Sequence, residues 1–327
     1  VCSTMIKLHL NNSMIPIPLF QNCCFLANAT LQKAKYFEQP KDNAMVDTPR
    51  FLCFGEIIFD QIDGKYFLGG APLNFAWYTS QVYTETAIVS SIGKDSLGEL
   101  ALSNIQKTKI EMFVHINELK TGTAIVDKTG HFQIITPAAW ERIQVPEIEK
   151  KDFDLLYLGT LAQITSHNKK SLDTLLSLKS KRKFVDINLR YPFYTETIIA
   201  ETLLIADILK VNENEWTTIK KIIGISSYSE LIHDFNISVF VITRGSRGAN
   251  LYTKSSKFHY CPQYTNNTDS TGAGDAFSAI LARGICGGMD YTQTLELACD
   301  AGAFVASSKG AQILLPKNIK NRLKYNL

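Results

Sequence analysis

Asp269-Ser270-Thr271-Gly272-Ala273-Gly274-Asp275-Ala276-Phe277 runs into a helical pattern that continues through Ile285. Small residues just ahead of a helix leave several backbone N–H groups free and closely approachable, and the helix dipole adds positive potential there. That builds an anion site. Asp275, in the first turn, stands where it would accept the proton of a hydroxyl attacking a phosphoryl group. The plainer alternative is an N-terminal cap, because Asp at a helix start is favoured by the dipole alone. A second stretch, Gly69-Gly70-Ala71-Pro72-Leu73-Asn74-Phe75-Ala76, also enters a helix. Pro72 suits its first turn, the glycines let backbone approach a ligand, and Asn74 offers donor and acceptor to a polyol. Taken by itself this stretch reads equally as a loop-to-helix junction.

Other chemistries lack their residues. Gly93-Lys94-Asp95 has no Ser/Thr to complete a Walker-type loop, and neither G-x-G-x-x-G nor H-E-x-x-H occurs. The seven cysteines are odd in number and show neither a C-x-x-C pair nor zinc spacing, so free thiols in a reducing compartment are expected.

The elements that must position these residues alternate along the chain. Strand-like runs fall at 51–59, 86–92, 110–115, 153–158, 183–187, 207–211, 238–243 and 249–253. Amphipathic helical segments lie between most of them, for example Leu73–Gln81, Leu97–Lys107, Asn168–Lys179 and Thr195–Ile205. Such alternation predicts βαβ crossovers and a parallel, doubly wound α/β sheet. Residues 123–136 break the rhythm: two strand-like runs joined by a polar turn at Gly130 predict a hairpin in a small projecting sheet. Asp60 falls at the C-terminal end of the first predicted strand, the edge at which open parallel sheets bind ligands.

With 327 residues, 45% hydrophobic and 20% charged, and 34 Lys+Arg against 31 Asp+Glu, the chain has the composition of a soluble globular protein rather than a disordered one or a nucleic-acid binder. No apolar stretch is long enough for a membrane span. Residues 1–44 differ from the rest, with no acid before Glu38, three of the seven cysteines and no sustained period. They are expected to be a disordered or non-native extension ahead of a start at Met45, with organellar targeting the lesser alternative. They carry Lys7, Lys33, Lys35 and Lys41 against Glu38 and Asp42, so most of the formal charge of +3 belongs to them.

Gly-Gly-Ala-Pro-x-Asn in the first third and Asp-Ser-Thr-Gly-Ala-Gly-Asp in the last third together resemble the two signatures of the ribokinase-like (PfkB-type) carbohydrate kinases. Further matches follow in the family's order: Gly55-Glu56-Ile57-Ile58-Phe59-Asp60, Ile92-Gly93-Lys94-Asp95-Ser96-Leu97-Gly98, Leu158-Gly159-Thr160-Leu161-Ala162-Gln163, Asp186-Ile187-Asn188-Leu189-Arg190, Lys210-Val211-Asn212-Glu213-Asn214-Glu215, Thr243-Arg244-Gly245 and Lys309-Gly310-Ala311. The resemblance covers about residues 50–316 and is strongest to the fructokinase group.

It implies a ribokinase-like doubly wound domain over 45–327, with a small β-sheet lid from segments around 62–68 and 110–137. It also implies ATP-dependent phosphorylation of a sugar hydroxyl, fructose to fructose 6-phosphate first, with 2-keto-3-deoxygluconate or ribose as alternative acceptors; a catalytically silent binding protein is the reading from a different class. Carried over by position, Asp275 is the general base and Gly272, Ala273 and Gly274 the anion hole. Asp60, Gly69, Gly70, Asn74 and Arg190 contact the sugar, and Lys210, Thr243, Gly245, Gly248, Gly272 and Gly274 the nucleotide. Asn212 and Glu215 organise Mg²⁺ through water, and Asp269 lies near a monovalent-cation (K⁺) loop, where Ser270 replaces the family's usual Thr. The expected partners are a small-molecule sugar and ATP, with a homodimer as a further expectation and neither nucleic acid nor membrane. A cytoplasmic location goes with this.

Overall fold

Phe51-Leu52-Cys53-Phe54 is an unbroken apolar run, the pattern of a strand covered on both faces, and all four side chains are buried. In the computed structural model, which describes residues 7–10, 13–16, 48–126, 132–148, 152–263 and 269–324, this run is the central strand of a nine-stranded sheet. Within the N-terminal segment, β1 (Lys7–Leu10) and β2 (Ser13–Pro16) form a separate antiparallel pair. The remainder of the expected extension, and Met45 after it, lie outside the described residues.

The large sheet contains β3 (Arg50–Phe54), β6 (Glu85–Gly93), β7 (Ile110–Asn117), β10 (Phe153–Leu158), β11 (Ser180–Asp186), β12 (Ile208–Asn212), β13 (Val239–Thr243), β14 (Ala249–Tyr252) and β15 (Lys257–Tyr260). Its order is β15-β14-β13-β12-β11-β10-β3-β6-β7. From β13 to β7 every pair is parallel, and β14 and β15 extend one edge antiparallel. The chain leaves β3 toward β6 and β7, then crosses over to β10 on the other side, so the winding reverses between β3 and β10. Ligand crevices form outside the carboxyl ends of strands at such a reversal.

Helices cover both faces. One layer packs β3 and its neighbours against α1 (Ala71–Thr79), α7 (Ala273–Cys286), α8 (Tyr291–Ala306) and α9 (Lys317–Lys324), around Phe51, Phe75, Tyr157 and Phe184. The rings of Phe75 and Tyr157 stack with centroids 3.9 Å apart. The opposite face packs against α3 (Ser166–Ser177), α4 (Glu196–Ile205), α5 (Glu213–Ile223) and α6 (Tyr228–Asp234). α2 (Ser96–Ile105), capped by Asp95, follows β6.

A second, four-stranded sheet is built from β4 (Ile58–Ile62), β5 (Lys65–Gly69), β8 (Gly122–Val126) and β9 (Phe132–Ile135), in the order β5-β4-β8-β9. The predicted run 51–59 is therefore two strands. The chain breaks at Gly55-Glu56-Ile57, with Gly55 at φ +148 and packed against Pro72, and passes from the large sheet into the small one. Asp60 accordingly sits in the middle of a small-sheet strand, not at the end of a large-sheet one. Of the segment 110–137 expected in the small sheet, Ile110–Asn117 instead pairs with β6 at the edge of the large sheet. Gly122–Val126 and Phe132–Ile135 do pair antiparallel, and the turn at Gly130 lies outside the described residues.

Candidate active site

A cavity of about 890 Å³ opens at the carboxyl edge of the large sheet, beneath the small sheet. Its lining runs from Glu56, after β3, to Thr243 at the end of β13. Those strands are four steps apart, a span of roughly 19 Å, long enough for a nucleotide and a small acceptor laid end to end. At one end stand Glu56, Asp60, Asn74 and Arg190, with an apolar wall of Ile58, Phe132, Ile134 and Leu161. The other end is lined by Thr243, Gly245, Ser246, Gly248 and small residues of α8, Gly302, Ala303 and Ala306. The first turn of α7, from Gly272 to Asp275, joins the two.

Gly272 caps α7 at φ +78, and a Cβ there would collide with the Ala311 backbone. Only glycine fits this left-handed position without strain. The Ala273 N–H donates to the Ser270 carbonyl at 3.2 Å, which removes it from the expected set of anion donors. The N–H groups of Gly272, Gly274 and Asp275 have no acceptor among the described residues and point the set one residue further into the helix.

Asp275 accepts from Asn74 Nδ2 at 2.8 Å, so the two glycine-bounded stretches, 201 residues apart, meet at one bond. Asn74 is held in turn by Gln312, whose Nε2 donates to Asn74 Oδ1 at 3.2 Å. Burial raises the Asp275 carboxyl to about 6, with Asp186 adding to the rise, while the Asn74 bond, Lys210 and Arg190 oppose it. Asp60 is likewise pushed up to about 6 by burial, against the pull of Arg190. Gly69 does not line the cavity but backs Asp60: a Cβ there would sit 3.2 Å from Asp60 Oδ2. Gly70, at φ +105, lies against the Glu56 carbonyl. Arg190 lies over the Phe132 ring, 5.5 Å from its centroid, and makes no ion pair within 4 Å among the described residues.

Four expected residues are already engaged. Lys210 lines the cavity, and its Nζ donates to both oxygens of Asp186 at 3.0 Å, which engages two of its three N–H donors. Both Glu215 oxygens accept backbone N–H groups, from Leu189 at 3.1 Å and Asn212 at 2.7 Å, and Asn212 Oδ1 accepts from Glu215 N–H in a completed capping box. Asp269 accepts from Thr271 at 2.9 Å and Gly310 at 3.0 Å, which holds its carboxyl below the usual range despite burial. Thr243, Gly245, Gly248 and Asn212 line the cavity as expected.

Sequence reasoning passed over Glu56, Asp186 and Asn188. Glu56 lines the cavity, accepts from Ala71 N–H at 3.3 Å and is raised to about 7, chiefly by burial. A carboxylate directly after an unbroken apolar strand was the available signal. Asn188 lines the cavity with φ +42, a strained conformation that Asn tolerates better than most residues.

The free amides of α7 and the length of the cavity fit a nucleotide. Among the described residues no cluster of three acidic, His or Cys side chains would hold a metal unaided. Mg²⁺ would be carried here largely by phosphates and water; Glu215, engaged by backbone N–H groups, does not line the cavity. For K⁺, the Asp269 carboxylate is committed to backbone, and no step is assigned to that ion.

A doubly wound, mainly parallel sheet, a small separate sheet and a helix N-terminus joining a polyol-suited end to a nucleotide-length cleft define a ribokinase-like fold and a phosphotransferase-type site. Residues 43–318 match the pfkB family carbohydrate kinases, and the chain belongs to this family. It is 26% identical over 275 residues to a fructokinase of Escherichia coli, covering 76% of this chain and 88% of that one. To probable fructokinase-5 of Arabidopsis thaliana it is 26% identical over 320 residues, covering 83% and 96%. The crystal structure of fructokinase from Vibrio cholerae O395 in its fructose, ADP and calcium ion bound form superposes with a TM-score of 0.73 at 24% identity, covering 85% of this chain and 99% of that one. The chain is thus a sugar kinase by family. No helix among the described residues is long and apolar enough to cross a membrane.

Proposed function

We propose that the chain phosphorylates fructose to fructose 6-phosphate at the expense of ATP. The observation that carries this reading is the Asp275–Asn74 bond, which sets a half-buried carboxylate beside three free amides and within one cavity with Asp60. Asp60 and Asn74 accept from and donate to hydroxyls of the sugar and orient one of them toward Asp275. Asp275 takes the proton of that hydroxyl at a carboxylate oxygen as it attacks the γ-phosphoryl group, which leaves ADP. The N–H groups of Gly272, Gly274 and Asp275 face the charge on the transferred group. Mg²⁺ neutralises phosphate charge when bound. The small sheet, carrying Asp60 and the wall residues Ile58, Phe132 and Ile134, excludes water from the acceptor end.

The fructokinase relatives support fructose as acceptor, and so does the neutral-polyol character of an end that holds Glu56, Asp60 and Asp275 around a single arginine. A coupled ADP-release assay with fructose, ribose, 2-keto-3-deoxygluconate and glucose tests it. Fructose is expected to give the highest kcat/KM. Preference for another sugar replaces the acceptor, and no turnover with any of them replaces the reading with that of a silent binding protein.

A further inference from the structure

Asp186, the last residue of β11, and Lys210, the middle residue of β12, are register partners on adjacent parallel strands. Both are buried, at 1% and 8% exposure. Besides the two bonds from Lys210, Asp186 Oδ2 accepts from Ser278 Oγ at 2.9 Å. Ser278 lies on α7 three residues after Asp275, on the same side of the helix. Lys210 Nζ also reaches the first turn itself, because a Cβ on Gly274 would stand 3.2 Å from it. A buried ion pair gains little stability over an apolar pair of equal volume, so its effect is to be sought in the field it sets up at α7.

We infer that the Asp186–Lys210 pair, tied to α7 through Ser278, positions Asp275 and balances its charge, and that Lys210 acts through this pair rather than as a direct phosphate contact. This rests on Asp275 being the base of the proposed reaction. The two members act on Asp275 in opposite senses, Asp186 disfavouring its ionised form and Lys210 favouring it. The other groups in range are Arg190 from the loop after β11 and Asn74 on α1, both favouring ionisation, Glu56 after β3 and Asp60 in the small sheet, and the phenols of Tyr78 on α1 and Tyr157 on β10. Glu215 on α5 faces Lys210, and Tyr157 on β10 borders Asp186.

Carboxyl ¹³C NMR titration of Asp275 in the full chain, assigned by its loss in Asp275→Asn, reads this without turnover. Asp186→Asn is expected to lower the Asp275 midpoint and Lys210→Met to raise it, each by on the order of 1 pH unit, with the double variant near wild type. Shifts of the same sign, or none, overturn the inference. So does a Lys210→Met variant whose midpoint stays put while its KM for ATP rises tenfold or more, because Lys210 would then be a phosphate contact. Should single variants of the buried pair fail to fold, Ser278→Ala keeps both charges and cuts only the tie to α7. It should lower kcat roughly 3- to 10-fold while leaving both KM values and the midpoint in place, and an unchanged kcat overturns the positioning role. Opposite midpoint shifts in a protein that turns over no sugar would refute the proposed reaction while leaving the electrostatic coupling standing.

Discussion

Asp275 must be ionised to accept a proton, and its surroundings hold it near 6. The value sits close enough to neutrality that the carboxylate is both available at pH 7 and more basic than an exposed aspartate. The acid limb of kcat/KM is therefore expected to fall tenfold per unit below about pH 6, with the rate level above it; a profile flat down to pH 4.5 would remove Asp275 from the role. Replacing Asp275 by Asn keeps the shape and the bond partner in Asn74 but removes the proton acceptor. The loss expected in kcat is roughly 10²- to 10⁴-fold, with KM for ATP and sugar changed only a few-fold. Steady-state kinetics separate this from a helix cap, whose loss would appear in the melting temperature instead.

At the scale of elements, the loop-to-helix turn at Gly272 and the return turn at Gly70 aim the site. Both glycines have positive φ and no room for a methyl group, against Ala311 and Glu56 respectively. Gly245, on the nucleotide side, has positive φ but open space around it. Gly272→Ala should therefore cost more than Gly245→Ala: about 2–3 kcal/mol with a large loss of kcat, against about 1 kcal/mol with kcat nearly kept. Urea unfolding alongside kinetics checks the difference, and equal costs would show that steric closure at Gly272 does not matter.

The same turns mark how far the sequence could be read. Eight of the nine strands of the large sheet, all but β15, were legible from period and punctuation because each is a local pattern. So was Asp275, because a helix N-terminus is local too. The division of 51–59 between two sheets was not legible, since Ile57, Ile58 and Phe59 continue the apolar run and only tertiary packing turns the chain at Gly55. The engagement of Lys210 was hidden for a related reason: its partner Asp186 lies 24 residues away and meets it only through the register of two parallel strands. Glu215 and Asp269 show the converse, where a residue type suited to a metal is consumed by backbone N–H groups that no motif reveals.

For the whole molecule, three carboxylates besides the Lys210-paired Asp186 crowd one cavity, with Arg190 as the nearest unpaired cation. Glu56 is raised to about 7, and Asp60 and Asp275 each to about 6, chiefly by burial. Each binds its proton more tightly when the chain is folded than when it is unfolded, where ordinary values near 4 apply. Between those values and the raised ones the folded state holds more protons, so stability is greatest at the acid end and is lost as pH rises through about 6 to 7. This is the reverse of the usual behaviour of salt-bridged carboxylates. Because the three share a cavity they titrate as a group, and the combined effect between pH 8 and pH 5.5 is about 2–4 kcal/mol. Calorimetry of the ligand-free chain should show a melting temperature roughly 4–8 °C higher at pH 5.5 than at pH 8. Asp95 and Asp269, held below the ordinary range, reverse the trend only at more acid pH. Asp275→Asn, which removes one of the three titrations, should shrink the rise. A melting temperature that is constant or falls over this interval would mean that the cavity keeps its carboxylates solvated, and the base at Asp275 would then owe its reactivity to position alone.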